Sequence, residues 1–259
     1  MEFKTLIFEK EAGVGILTLN RPKQLNAING EMLSDLSRAM DMIAADAEVK
    51  AVILTGGEKV FAAGGDIAFM SGADSPAAES FIALCHEAFD KVAGLEKPVV
   101  AAIAGMALGG GCELSLCCDI RICSENAKFA QPEINLGIIP GAGGTQRLAR
   151  LLGPGWCKYL TMLGDPIDAG TALSLGLVAK VVPPDQLMNE AKKIAAKLAA
   201  KPPVALRVLK KAINYGMNVD LASGLAFEQK VFALLFSTED QKEGMKAFLE
   251  KRKPVFHGR

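Results

Sequence analysis

Alternation opens the chain. In LIFEKEAGVGILTLN, apolar and polar positions alternate on either side of a Gly-containing turn, which reads as two strands. A helical period then takes over. Behind Asn29, a candidate helix cap, Met32, Leu33, Leu36, Met40 and Ile43 fall on one face. AVILTG (51–56) is a short unbroken apolar run and reads as a buried strand. A helix opens at Pro76, with Phe81, Cys85, Ala88, Phe89 and Val92 along its apolar face. PVVAAIAG (98–105) is a second buried strand, and a Gly-rich turn leads from it into GCELSLCC, where a helix is expected over 111–118. DIRIC (119–123) reads as a strand, GTQRLARLL and WCKYLTML as helices, and AKVVP (179–183) as the last strand. Beyond Pro184 the segments 185–200, 203–215, 219–236 and 238–252 are all helical in pattern. The chain is therefore expected to be α/β, with a strand-and-helix core carrying the active site over 1–195 and a helical C-terminal region over 196–259.

Composition changes this picture little. The chain has 259 residues, 50% hydrophobic and 22% charged, the profile of a globular domain. Its apolar runs are short and broken by Gly, so no membrane span is expected. The start, MEFKTLIFEKEAGVG, has no signal-peptide pattern, and a cytoplasmic location is expected. Of the six cysteines, Cys112, Cys117, Cys118 and Cys123 crowd one stretch without a C-x-x-C pair, and His86 and His257 are the only histidines. That spacing holds no metal set, and the thiols are expected to be reduced, small and buried.

Charge excludes more. The net charge is zero, against a general nucleic-acid binder. The segment from 191 onward carries 14 Lys and Arg against 6 Asp and Glu, a net +8, and the rest of the chain carries −8. Solvated helix faces would account for that, and so would an anionic ligand. The helix over 29–48 bears Asp35, Asp41, Asp46 and Glu48 against Arg38, so it offers RNA no basic face. No G-x-S-x-G elbow, P-loop, G-x-G-x-x-G or H-E-x-x-H occurs.

What remains is a set of Gly-rich turns near strand ends: Gly56-Gly57, Ala63-Gly64-Gly65-Asp66, Gly109-Gly110-Gly111 and Gly141-Ala142-Gly143-Gly144. Glycine admits close approach to the backbone, and amides at helix starts favour negative charge. Two carboxylates stand beside these turns. Glu113 follows Gly110 by three residues, on the same side of the expected helix, among Cys112, Leu114, Leu116, Cys117 and Cys118. Glu133 follows Gln131-Pro132 and precedes Ile134, Leu136 and Ile138. Apolar surroundings raise a carboxyl pKa toward neutrality, as acid–base chemistry needs. A surface acid at a helix start and a rim carboxylate on a loop would fit the spacing equally.

FAAGGDI (61–67), AGMALGGGCELSLCCDIRI (104–122) and QPEINLGIIPGAGGTQRL (131–148) together resemble the enoyl-CoA hydratase (crotonase) family, of the short-chain type. LNRPKQLNAI (19–28) and STEDQKEGMKAFLEKRKPVF (237–256) match the family's two ends, so the resemblance spans nearly the whole chain. It implies a crotonase-type spiral of repeated β-β-α units, with a C-terminal helical region that builds trimers and hexamers of two trimers. It implies hydration of a 2-enoyl-CoA, with coenzyme A as part of the substrate and no separate cofactor. Isomerase and thioesterase relatives share the scaffold, but isomerases commonly rely on one carboxylate, and some relatives bind RNA. Carried over by position, Glu113 and Glu133 match the catalytic pair, and Ala63 and Gly110 the two oxyanion-hole amides. Lys23, Gln24, Leu25, Ala27, Gly64, Gly65, Asp66, Ile67, Gly109, Pro132 and Gly141 match substrate- and CoA-contacting positions. Phe248 and Lys251 match tail positions that meet CoA, often in the neighbouring subunit. Gly65 departs from a common family alanine.

Overall fold

The computed structural model describes residues 2–259. Strands β1 (Leu6–Glu11) and β2 (Val14–Leu19) form the expected antiparallel pair. Helix α1 (Gly30–Ala45) starts at Asn29, whose side chain accepts the Met32 amide at 2.9 Å. There follow β3 (Ala51–Thr55), the four-residue helix α2 (Ile67–Met70), the long helix α3 (Ser75–Gly94) and β4 (Val99–Ile103). A short β5 (Met106–Leu108) runs into α4 (Gly110–Leu116), then β6 (Ile120–Ser124) and β7 (Lys128–Ala130). The next helix, α5 (Gly144–Leu163), is interrupted at Gly153, where the backbone leaves helical geometry before Pro154. This accounts for the two helices read from the sequence. β8 (Ile167–Asp168), α6 (Ala169–Ser174), β9 (Lys180–Val182) and α7 (Leu187–Ala199) complete the layered part. Helices α8 (Pro203–Gly216), α9 (Leu221–Leu235) and α10 (Glu239–Leu249) end the chain.

The larger sheet has the order β1-β2-β3-β4-β6-β9 and is parallel after its first pair. Its central strands are covered on both faces, which explains their unbroken apolar runs. Side chains alternate between two cores. Val52, Leu54, Val99, Ala101 and Ile103 face the main core with α1, α3 and α4. Ala51, Ile53, Val100 and Ala102 face a smaller one, closed by Leu187, Ala191 and Ala195 of α7. A second sheet, β5-β7-β8, stands apart. The sequence reading missed it, because strands of two or three residues carry no measurable period.

In contrast to α7, helices α8 and α9 bury no residue completely. Leu221, Phe232 and Leu234 of α9 stand exposed at 77%, 62% and 62%. Among the described residues, no helix is long and apolar enough to cross a membrane. All six cysteines are buried free thiols.

Candidate active site

The segment 61–66 is stitched on both edges. On one, the Phe61 and Ala62 amides donate to the Met106 carbonyl, and Leu108 donates back to Ala62, each at 3.0 Å. On the other, Ala63 donates to the Leu25 carbonyl at 3.0 Å, Ile28 to the Gly64 carbonyl at 2.8 Å, and Asp66 to the Ile28 carbonyl at 2.9 Å. Two further devices fix the strand that lies alongside. Buried Asn26 donates to the carbonyls of Gly56, Val60 and Phe61 at 3.1, 3.2 and 3.1 Å, and accepts the Arg21 amide at 2.9 Å. Arg21 in turn pairs with Asp66 at 3.3 Å and donates to the Ala27 carbonyl.

This pairing corrects the expectation for Ala63. Its N–H is engaged by Leu25 and is not free for a ligand. The amide two residues on is placed differently. The two ends of a trans peptide point opposite ways. Because the Gly64 carbonyl faces Ile28, the Gly65 N–H faces away from it and has no backbone acceptor among the described residues. The same logic holds for Gly110. The Gly109 carbonyl accepts the Glu113 amide at 2.9 Å along the axis of α4, so the Gly110 N–H leaves the helix start in the other direction. The two amides are neighbours: the Gly65 nitrogen lies 3.7 Å from where a Cβ on Gly110 would stand.

One turn into α4, Glu113 is 2% exposed. Its Oε1 accepts the amides of Ala142 at 2.8 Å and Gly144 at 2.7 Å, the latter at the start of α5. Burial pushes its pKa up, and those two hydrogen bonds act against the rise. The second carboxylate, Glu133, sits half-buried in a 3-10 turn over Pro132–Leu136. Burial, opposed by a hydrogen bond from its own backbone and aided by the charge of Glu113, raises it to about 7. The buried Gln131 amide lies beside it, and with its oxygen and nitrogen exchanged the nitrogen would donate to Glu133 Oε1 at 3.0 Å and Oε2 at 3.2 Å. Gly109 holds φ 49° and ψ −122°, a conformation suited to glycine, and a Cβ there would come within 2.9 Å of Glu133 Oε1.

Both glutamates line one cavity of about 100 Å³. Gly65, Gly110, Gly109, Gly64 and Ala63 form its polar end, joined by Pro132 and Gly141. Ile67 and Met70 of α2, Phe81, Ile82, Cys85 and Phe89 of α3, and the exposed Leu136, Ile138 and Ile139 that follow Glu133 supply its apolar lining. The α3 residues here belong to the apolar face expected from the sequence, since a pocket wall and a core share the same period. Met70 and Ile82 are not among the individual candidate residues read from the sequence. The remaining candidates lie outside the cavity. Lys23 and Gln24 are exposed on a 3-10 turn, Leu25 and Ala27 serve through their carbonyls, and Asp66 through its pairing with Arg21. Phe248 is 83% exposed at the end of α10, and Lys251 follows it with φ 54°.

Comparison with known proteins gives a consistent result. Residues 9–259 match the family model described as enoyl-CoA hydratase/isomerase. A short-chain-enoyl-CoA hydratase of Clostridium acetobutylicum is 52% identical over 98% of this chain and 97% of its own length. A crotonyl-CoA hydratase of Syntrophomonas wolfei is 49% identical over 99% of each chain. The crystal structure of an enoyl-CoA hydratase from Bacillus anthracis superposes with a TM-score of 0.95 at 41% identity, covering 99% of this chain and 100% of that one.

Proposed function

The chain belongs to the enoyl-CoA hydratase/isomerase family, and from that premise we propose that it adds water reversibly across the 2,3 double bond of a short-chain trans-2-enoyl-CoA. The observation that carries this reading is the pair of carboxyls with raised pKa in one cavity with two outward-facing amides. The thioester carbonyl accepts hydrogen bonds from the Gly65 and Gly110 amides. Charge grows on that oxygen as the enolate forms, and one such donor typically contributes about 2.7–4 kcal/mol to the barrier.

Glu113 acts as the base. Its Oε1 is held by Ala142 and Gly144, which leaves Oε2 to take a proton from water as the water oxygen bonds to C3. Glu133, protonated below about pH 7, gives its proton to C2. Both transfers come from one side of the substrate, so addition is syn. The two carboxyls titrate as a pair. Proton transfer and enolate stabilisation complete the reaction, and coenzyme A enters as part of the substrate.

The CoA portion passes the loop of Lys23, Gln24, Leu25 and Ala27, which is tied to the oxyanion strand through Leu25 and Arg21. Phe248 and Lys251 contact the CoA of a neighbouring subunit in a homotrimer, or a hexamer of two trimers, of a cytoplasmic enzyme. The exposed apolar residues of α9 and the solvent-facing Phe248 support that assembly. Crotonyl-CoA is the test substrate. The absorbance of its conjugated thioester should fall as water adds. Release of free thiol with that absorbance unchanged would replace hydration with thioester hydrolysis.

A further inference from the structure

We infer that Met70 sets the length of acyl chain the cavity accepts, an inference that rests on the thioester placement just proposed. With the carbonyl at Gly65 and Gly110 and C2 and C3 between the glutamates, further acyl carbons have only the apolar end to enter. Beside the exposed rim of Leu136, Ile138 and Ile139, its two helical walls differ in kind. On the α3 side, Phe81, Cys85 and Phe89 are 6%, 3% and 1% exposed and belong to the main core. A close-packed core yields little. The α2 side is a helix of four residues with no fully buried member, and its capping residue Asp66 makes no side-chain capping bond.

Met70 is the part of that wall nearest the reacting end. A Cβ on Gly65 would stand 3.2 Å from Met70 Cε and 3.3 Å from its Sδ. The missing side chain at Gly65 is what lets the thioether lie against the strand bearing the oxyanion amide. Methionine is unbranched and adaptable, the apolar side chain best able to yield. Beyond it, the rings of Phe69 and Phe81 meet at 5.1 Å and tie α2 to α3. The cavity therefore lengthens where Met70 moves. As it stands, about 100 Å³ is less than the roughly 150 Å³ of an apolar cavity that holds six-carbon benzene. The space left beyond the reacting carbons is smaller still, and longer chains need Met70 displaced.

The test measures calorimetric Kd values for two saturated thioesters, butyryl-CoA and octanoyl-CoA, with the wild-type protein, Met70→Ala and Met70→Leu. A methylene in an apolar pocket changes affinity by about tenfold or more. Met70→Ala should raise octanoyl affinity relative to butyryl by at least about that factor. Met70→Leu refills the space and should keep the wild-type ratio. A ratio in Met70→Ala within about twofold of wild type overturns the assignment, because a tenfold change is the least that one methylene predicts. These affinities do not depend on turnover. If the ratio shifts while crotonyl-CoA is not hydrated, the gate stands and the hydratase reading falls. If the wild-type protein binds neither thioester, both fall.

Discussion

Replacing Glu133 by glutamine should stabilise the protein while disabling it. The carboxyl's rise from 4.5 to about 7 reflects burial, which disfavours its charged form. Above pH 7 the folded protein holds that charge against the preference of the site. Below 4.5 the group is protonated whether the chain is folded or not. The folded state binds the proton more tightly, so stability declines as pH rises between these values. At about 1.36 kcal/mol per pH unit the decline is bounded at roughly 3 kcal/mol. Water reaches the half-buried carboxylate and screens it, which lowers the figure to about 1–2 kcal/mol. Glutamine resembles the neutral acid and titrates nowhere, so the variant escapes this cost. Thermal melts at pH 8 should put Glu133→Gln above wild type by roughly 2–8 °C, at about 2–4 °C per kcal/mol for a chain of this size. The gap should close by pH 4.5. Turnover of crotonyl-CoA should fall by about 10²–10⁴, the usual contribution of a general acid. A variant that melts at or below wild type at pH 8 would refute the burial argument. One that keeps near-normal turnover would refute the acid role.

Other substitutions probe the scaffold of the site. Gly109→Ala forces a side chain into a glycine conformation, at about 1–3 kcal/mol, and against Glu133 Oε1. Its turnover should fall by about 10², the effect expected of a misplacement near 1 Å, and an unchanged kcat would show that Glu133 is not held from that side. Asn26→Ala strands three carbonyls and one amide in the interior. It should lose at least about 2 kcal/mol in a denaturant titration, and a loss within error would mean that water replaces the amide. Cys85 lines the cavity, yet burial and the charge of Glu113 push its thiol up to about 12. An aromatic disulfide reagent at pH 8 should leave it unmodified until the protein unfolds, and rapid labelling of native protein would contradict this.

The parts of this fold legible in the sequence are those long enough to repeat a period. Strand β4 and helix α1 announce themselves because several side chains in each face the same layer. Strands β5, β7 and β8 make the second sheet from two or three residues apiece, and nothing local distinguishes them from loop. The site divides along the same line. Glu113 and Glu133 were recognisable as carboxylates in apolar company beside glycine turns. Which amide of 61–67 faces the cavity was not recognisable, because Ile28, far away in sequence, decides the direction of the Gly64 carbonyl. The motif located the turn, and the Ala63 nitrogen it suggested is the one bonded to Leu25. No local pattern singles out Met70 itself, because the role proposed for it rests on an atom that Gly65 lacks.

The Gly65 and Gly110 amides belong to the main chain, and their directions follow from the bonds made by the carbonyls of Gly64 and Gly109. A scaffold of this kind separates what is inherited from what is free to vary. Drift that preserves the pairing of Ile28 and the start of α4 keeps both amides, and with them the thioester activation proposed above, intact. Meanwhile the carboxylates and the walls of α2 and α3 can be exchanged one side chain at a time. New acyl preferences, and new reactions of the same enolate, are then reached through sequences that never lose the activated carbonyl.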